Sequence, residues 1–145
     1  MPNQYVSDYQ VIAAYVMAGL CFWVYYKACS VSPGEVTTES SPHFTKKYEG
    51  HYDEIIYKKN NKCSTCDVIK PARSKHCNIC KMCVSKFDHH CIWYHFSNLR
   101  IRQCVGQRNY KYFISFLFLH SIWCCYLAVI GAYSLYASLL KMKFW

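Results

Sequence analysis

The stretch CSTCDVIKPARSKHCNICKMCVSKFDHHC, residues 63–91, governs how the rest of the chain is read. It holds two Cys-x2-Cys pairs, Cys63/Cys66 and Cys77/Cys80, with Cys83 and Cys91 further on and histidines at 76, 89 and 90. A Cys-x2-Cys turn presents two thiolates to one tetrahedral zinc, so this spacing predicts metal sites. With Cys104 added, seven cysteines and three histidines make ten candidate ligands. Two closed tetrahedral sites use eight of them and leave two over. Consecutive side chains of a non-helical segment diverge, so His89 and His90 are not expected to share an ion, and the spare pair is expected to be one histidine and one cysteine. A thiol beside an imidazole, flanked by Asp88, is the arrangement that makes a thiolate nucleophile near neutral pH. The other reading of the same residues is a Cys/His-rich binding module without chemistry.

Outward from this stretch the chain turns apolar on both sides. Of 145 residues, 53% are hydrophobic and 18% aromatic, which excludes disorder over most of the chain. These residues collect in two blocks, near 10–31 and 112–140. Tyr112 to Leu140 carries no ionisable side chain except those of its cysteines, its tyrosines and His120 over 29 residues. That is roughly 43 Å of helix, more than a bilayer core, and a chain this short cannot wrap such a helix in soluble protein. The uncharged run from Tyr9 to Tyr26 gives about 27 Å, which Lys27 extends by snorkelling, and it shows no polar face. Both blocks are therefore expected to span a membrane. With no basic region before it and no small-residue cleavage site after it, the first block is not expected to be a cleaved signal.

Residues 32–111 carry 14 Lys+Arg against 7 Asp+Glu. The positive-inside bias places this segment in the cytosol, where disulfides are disfavoured, and its odd number of cysteines agrees. A basic surface suits anionic lipid, a phosphate-bearing small molecule or nucleic acid, and attachment to membrane at both ends makes nucleic acid the least expected partner. The resulting plan has an N-terminal transmembrane helix within 1–31, a cytosolic linker over 32–59, and a zinc-binding cysteine-rich domain over 60–111. A second transmembrane helix over 112–140 and a short tail over 141–145 complete it. Cys21, Cys29, Cys124 and Cys125 lie in or beside the apolar blocks and read as small packing residues.

At Asp88-His89-His90-Cys91 the sequence resembles the DHHC-type protein S-acyltransferases, integral membrane enzymes that palmitoylate cysteines of other proteins. The likeness extends through Cys63-x2-Cys66, Lys70-Pro71-x-Arg73-x2-His76-Cys77, Cys80, Cys83-Val84, the x-Trp93 that follows Cys91, Cys104-Val105-Gly106 and Asn109-Tyr110-x-Tyr112-Phe113. Ser32-Pro33-Gly34 is similar to the family's Asp-Pro-Gly. The resemblance implies an α-helical membrane protein whose two transmembrane helices flank a loop-rich cytosolic module of small β-hairpins with two structural zinc ions. It assigns Cys63, Cys66, His76 and Cys83 to one ion and Cys77, Cys80, His90 and Cys104 to the other. It makes Cys91 the nucleophile, His89 its base and Asp88 the residue that orients the histidine.

The implied activity is transfer of a long-chain acyl group from acyl-CoA, through acyl-Cys91, to cysteines of membrane-associated proteins. The alternative is a truncated, catalytically silent member that serves as a zinc-structured binding module. The Cys63–Cys83 stretch, with Lys70 to Cys77 inside it, looks most like the branch of the family found in the endoplasmic reticulum, so an endomembrane location there or in the Golgi is expected, with the bilayer, acyl-CoA and protein substrates as partners. Two departures stand out. Twelve residues, Ile92 to Gln103, separate Cys91 from Cys104, seven more than the family pattern leads one to expect. The chain is also expected to be incomplete, carrying the counterparts of the family's second and third spans.

Overall fold

A computed structural model describes residues 6–91 and 103–143, and in it the chain divides into two compact units. One comprises residues 1–26 and 114–145, the other residues 27–113. Helix α1 runs Asp8–Ser30 and helix α3 runs Tyr110–Lys143. Ser7 starts α1 with a capping arrangement in which the Gln10 side-chain oxygen accepts the Ser7 backbone N–H at 2.8 Å, and Asp8 adds a negative charge to the first turn.

In the helical unit, the Tyr126 hydroxyl donates to the Gln10 carbonyl at 3.1 Å, and the Tyr25 and Phe116 rings meet at 5.4 Å. The best apolar windows of α1 and α3 have mean hydropathy 1.5 and 2.1, and none of the α3 window is buried within the chain. Phe22, Phe118 and Val129 are each about 70% exposed. Apolar side chains left exposed along both helices fit helices solvated by lipid.

The second unit is built on two antiparallel hairpins. Strands β1 (Lys75–Cys77) and β2 (Met82–Val84) pair His76 with Cys83, and strands β3 (His89–Cys91) and β4 (Gln103–Val105) pair His90 with Cys104. Each strand has only three residues, too little ladder to stand alone in water. The stretch 32–59, expected as a linker, contributes a folded wall. Helix α2 (Ser41–Lys47) buries Phe44, and Val36 and Tyr48 are buried beside it, so Phe44 and Val36 share one core with Cys63, Val68 and Cys83. The Val36 N–H donates to the Cys83 carbonyl at 2.8 Å and the Ser85 N–H to the Gly34 carbonyl at 2.9 Å, which fastens this segment along β2. The short apolar residues Val36 and Phe44 are isolated among Ser, Thr and Pro, so no periodicity announces them.

Behind β4 the chain is clamped. Asn109, 2% exposed, accepts the Gly106 N–H at 2.8 Å through its side-chain oxygen and donates through its side-chain nitrogen to the carbonyls of Cys104 and Ala28. Gly106 itself lies so close to its neighbours that a Cβ would stand 2.5 Å from Val84 Cγ1 and 2.6 Å from the Pro33 oxygen. Gly106→Ala is therefore expected to destabilise the zinc-loaded protein by about 1–3 kcal/mol. Asn109→Ala, which takes this partner from the Gly106 N–H and from the carbonyls of Cys104 and Ala28, should cost about 2–4 kcal/mol. Denaturant midpoints followed by intrinsic fluorescence measure both, and a wild-type midpoint in either variant would contradict this account of the clamp.

Candidate metal centres and thiol site

The hairpins bring ligand atoms together in two groups. Cys63, Cys66, His76 and Cys83 form one and Cys77, Cys80, His90 and Cys104 the other, with all four donor atoms of each group within 4.8 Å of one another. These are the two sets that the resemblance assigns to two ions. In the first, His76 Nδ1 stands 3.6, 3.2 and 3.8 Å from the sulfurs of Cys63, Cys66 and Cys83. In the second, His90 Nδ1 stands 3.6, 3.2 and 3.7 Å from those of Cys77, Cys80 and Cys104. A tetrahedron with zinc–sulfur bonds of about 2.3 Å and zinc–nitrogen bonds of about 2.0 Å has a sulfur–nitrogen edge of roughly 3.6 Å. The separations straddle that value, so both groups could hold a metal ion, and their three sulfurs and one imidazole suit zinc.

Electrostatics point the same way. Burial, and then the neighbouring thiols of Cys63 and Cys66, push the Cys83 thiol far above its ordinary range. Cys104 is raised likewise, first by burial and then by Cys77 and Cys80. Thiolates crowded this closely are unfavourable without a cation between them, and a bound dication reverses the balance.

The two centres repeat one another at an offset of 14 residues: Cys63 matches Cys77, Cys66 matches Cys80 and His76 matches His90. The turns repeat as well. The Asp67 N–H donates to the Cys63 carbonyl at 2.9 Å and the Lys81 N–H to the Cys77 carbonyl at 2.8 Å, and Asp67 and Lys81 both take the left-handed conformation, at φ 55° and 57°. The same offset carries Cys77 onto Cys91. Cys77 is a ligand of the second cluster, whereas Cys91 belongs to neither. The repeat thus has one cysteine more than its metal sites use. In the first hairpin five residues separate Cys77 from Cys83, against twelve between Cys91 and Cys104, yet His90 still faces Cys104 as His76 faces Cys83. The longer connection therefore leaves the pairing intact. Its inserted residues, including Tyr94, His95, Phe96, Leu99, Arg100 and Arg102, and Trp93 before them, lie outside the described residues.

Strand β3 then sorts the Asp88-His89-His90-Cys91 motif by alternation. His90 faces the second cluster, so His89 and Cys91, one residue to either side, share the opposite face. The Asp88 N–H donates to the Val105 carbonyl at 2.9 Å, which anchors the start of the strand. His89 Nδ1 donates to Asp88 Oδ2 at 2.9 Å, an arrangement that leaves Nε2 as the basic nitrogen. The Phe113 ring stands edge-on to the imidazole at 5.2 Å. Cys91 is buried, 6% exposed. A half-exposed, carboxylate-held imidazole thus lies on the same strand face as a buried thiol. The Phe113 contact was not legible in the motif, although Tyr112-Phe113 at the start of the apolar block was its signal.

Next to this motif a cavity of about 360 Å³ opens between residues 52–58 and 70–75, with Phe87 on its wall. Lys58, Lys70, Arg73 and Lys75 line it, and among the described residues no acidic side chain does. Its upper wall is stiffened by Asp53, whose carboxylate oxygen accepts the N–H groups of Tyr57, Ile55 and Ile56 at 2.8–3.1 Å; these bonds, Tyr57 first, hold its carboxyl below the usual range. Its lower wall is the turn after Lys70, where the Ser74 N–H and hydroxyl both donate to the Pro71 carbonyl and the Arg73 carbonyl receives the Phe87 N–H at 3.1 Å. Basic and aromatic groups around a concave space suit a phosphorylated, ring-bearing ligand.

Comparison with known proteins gives the same pattern. The family model described as DHHC palmitoyltransferase matches residues 56–145. The palmitoyltransferase ZDHHC4 of Bos taurus is 38% identical over 112 residues, covering 77% of this chain and 30% of that protein. The palmitoyltransferase SWF1 of Saccharomyces cerevisiae is 43% identical over 96 residues, covering 66% and 26%. Swf1 of Schizosaccharomyces pombe is 45% identical over 92 residues, covering 63% and 23%. The chain spans less than a third of the length of these relatives. With a match that takes in the clusters, the motif and α3, this membrane chain belongs to the DHHC palmitoyltransferase family.

Proposed function

We propose that this chain is the core of a protein S-acyltransferase that moves a long-chain acyl group from acyl-CoA to cysteines of membrane-associated proteins. The observation that carries the reading is the alternation in β3: one histidine of the motif faces a metal cluster, and the other shares a strand face with the single cysteine of the zinc repeat outside both clusters. In the first half-reaction the Cys91 sulfur attacks the thioester carbonyl while His89 Nε2 takes the thiol proton. The carbon–sulfur bond to CoA breaks, and the CoA sulfur leaves with that proton. Asp88 keeps the imidazole in the tautomer that can do this. In the second half-reaction the thiol of a protein cysteine attacks acyl-Cys91, gives its proton to His89, and frees Cys91 as the acyl group transfers.

The basic cavity supports a CoA donor, since Lys58, Lys70, Arg73 and Lys75 match its phosphates and the cavity adjoins the motif through Phe87. Zinc in this reading is structural. Cys63, Cys66, His76 and Cys83 would hold one ion and Cys77, Cys80, His90 and Cys104 the other, each a closed four-donor set whose ion would supply the positive charge that stabilises the thiolates and ties the hairpins. The basic segment between two apolar helices supports a cytosolic cysteine-rich module, and the likeness of the Cys63–Cys83 stretch to members of the endoplasmic reticulum supports an endomembrane location, there or in the Golgi.

Labelled palmitoyl-CoA supplied to the purified, zinc-loaded protein in nanodiscs should give a hydroxylamine-sensitive label. The label should be absent in Cys91→Ser and form about 10²–10⁴ times more slowly in His89→Ala. No label on a protein carrying two zinc ions would overturn the enzyme and leave a zinc-structured binding module. Chelation of zinc is expected to unfold residues 63–104, because three-residue strands around crowded thiols have little else to hold them. Limited proteolysis reads this directly, and a protease-resistant metal-free form would contradict it.

A further inference from the structure

Tyr52 stands where the short 3₁₀ turn Glu49–His51 ends, directly before the Asp53 carboxylate that pins the next three backbone N–H groups. Tyr52 is a lining residue both of the basic cavity and of a second cavity of about 470 Å³, where Lys46 and Lys59 also lie. The phenol oxygen is buried, and among the described residues it has no hydrogen-bond partner. Buried hydroxyls are rarely left so, because the desolvation of the group is not repaid.

What would complete this hydroxyl is set by its surroundings. The basic cavity offers four cationic side chains, Lys58, Lys70, Arg73 and Lys75, and no carboxylate among the described residues. A ligand drawn there is an anion with acceptor oxygens, and a phenol O–H is a donor to such an oxygen. The second cavity includes Glu49 beside Lys46 and Lys59, so it presents a weaker field to an anion. We infer that Tyr52 Oη donates a hydrogen bond to a phosphate oxygen of the ligand in the basic cavity, and that Tyr52 is thereby a binding residue for the phosphorylated part of the acyl donor. The inference rests on the acyl-CoA reading of that cavity. It adds a neutral, directional contact to the diffuse attraction of the lysines, from a segment that carries no cysteine of the metal clusters.

Tyr52→Phe removes this one oxygen and keeps the ring. Coenzyme A binding to the zinc-loaded, full chain in nanodiscs is measured by titration calorimetry, with the unfolding temperature taken in the absence of CoA. The variant should bind CoA about tenfold more weakly, as expected for loss of one hydrogen bond to a charged acceptor, and should unfold at the wild-type temperature or above it. Equal CoA affinity in the two proteins would overturn the role of Tyr52 and leave the cavity reading standing. A lowered unfolding temperature without CoA would also overturn it, by showing that the hydroxyl serves the fold. If the zinc-loaded wild type binds no CoA, or binds it with an affinity that Lys70→Ala and Arg73→Ala leave unchanged, the cavity reading itself fails and the inference falls with it.

Discussion

The gathering of three thiols and one imidazole into a space under 5 Å across, done twice, is the constraint from which the rest of the cysteine-rich unit follows. Sulfur atoms held that close repel as thiolates and, as thiols, surrender only a weak donor and acceptor each. A tetrahedral dication turns this liability into the main source of order. It explains why strands of three residues are enough, why His76 faces Cys83 and His90 faces Cys104, and why the seven extra residues after Cys91 are tolerated. Lengthening that loop from five residues to twelve adds only about 0.8 kcal/mol of closure entropy. Zinc binding by such a site is worth roughly ten times as much or more.

The pairing of His89 with Cys91 on one strand face arises from the same repeat. A 14-residue unit of ligands, applied twice, places a cysteine after each histidine. After His76 that cysteine becomes the first ligand of the next cluster, and after His90 no next cluster follows among the described residues. Cys91 is left with the geometry of a ligand and without a ligand's duty. The twofold alternation of a strand then puts His89 on its side and His90 on the other. Asp88 and Phe113 supply the remaining restraints on the imidazole, one through a hydrogen bond and one through ring contact.

Packing outside the metal clusters does a different job, fastening the module to the ends of its flanking segments. Val36, Phe44 and Tyr48 close one side of the first cluster, and Asn109 and Gly106 lock the chain behind the second. The same N-terminal segment carries Tyr52, Ile56, Tyr57 and Lys58, which line the basic cavity, and Asp53, which holds their backbone. A stretch with a linker's composition therefore furnishes both core and cavity wall.

What the sequence determined by itself was whatever depends on spacing along the chain: two apolar blocks of membrane length, two Cys-x2-Cys turns, ten ligand-type residues for eight places, and a motif shared with a known family. Those features are local, so their physics is readable in order. Assignments that depend on contacts between distant residues were decided only by the tertiary structure. Phe44 beside Cys83, Phe113 beside His89, the Asn109 bond to Ala28 across 81 residues, and the basic cavity formed by residues 52–58 and 70–75 are of this kind. No periodicity or composition records them, because each is a meeting of segments whose separation in sequence carries no information about their separation in space.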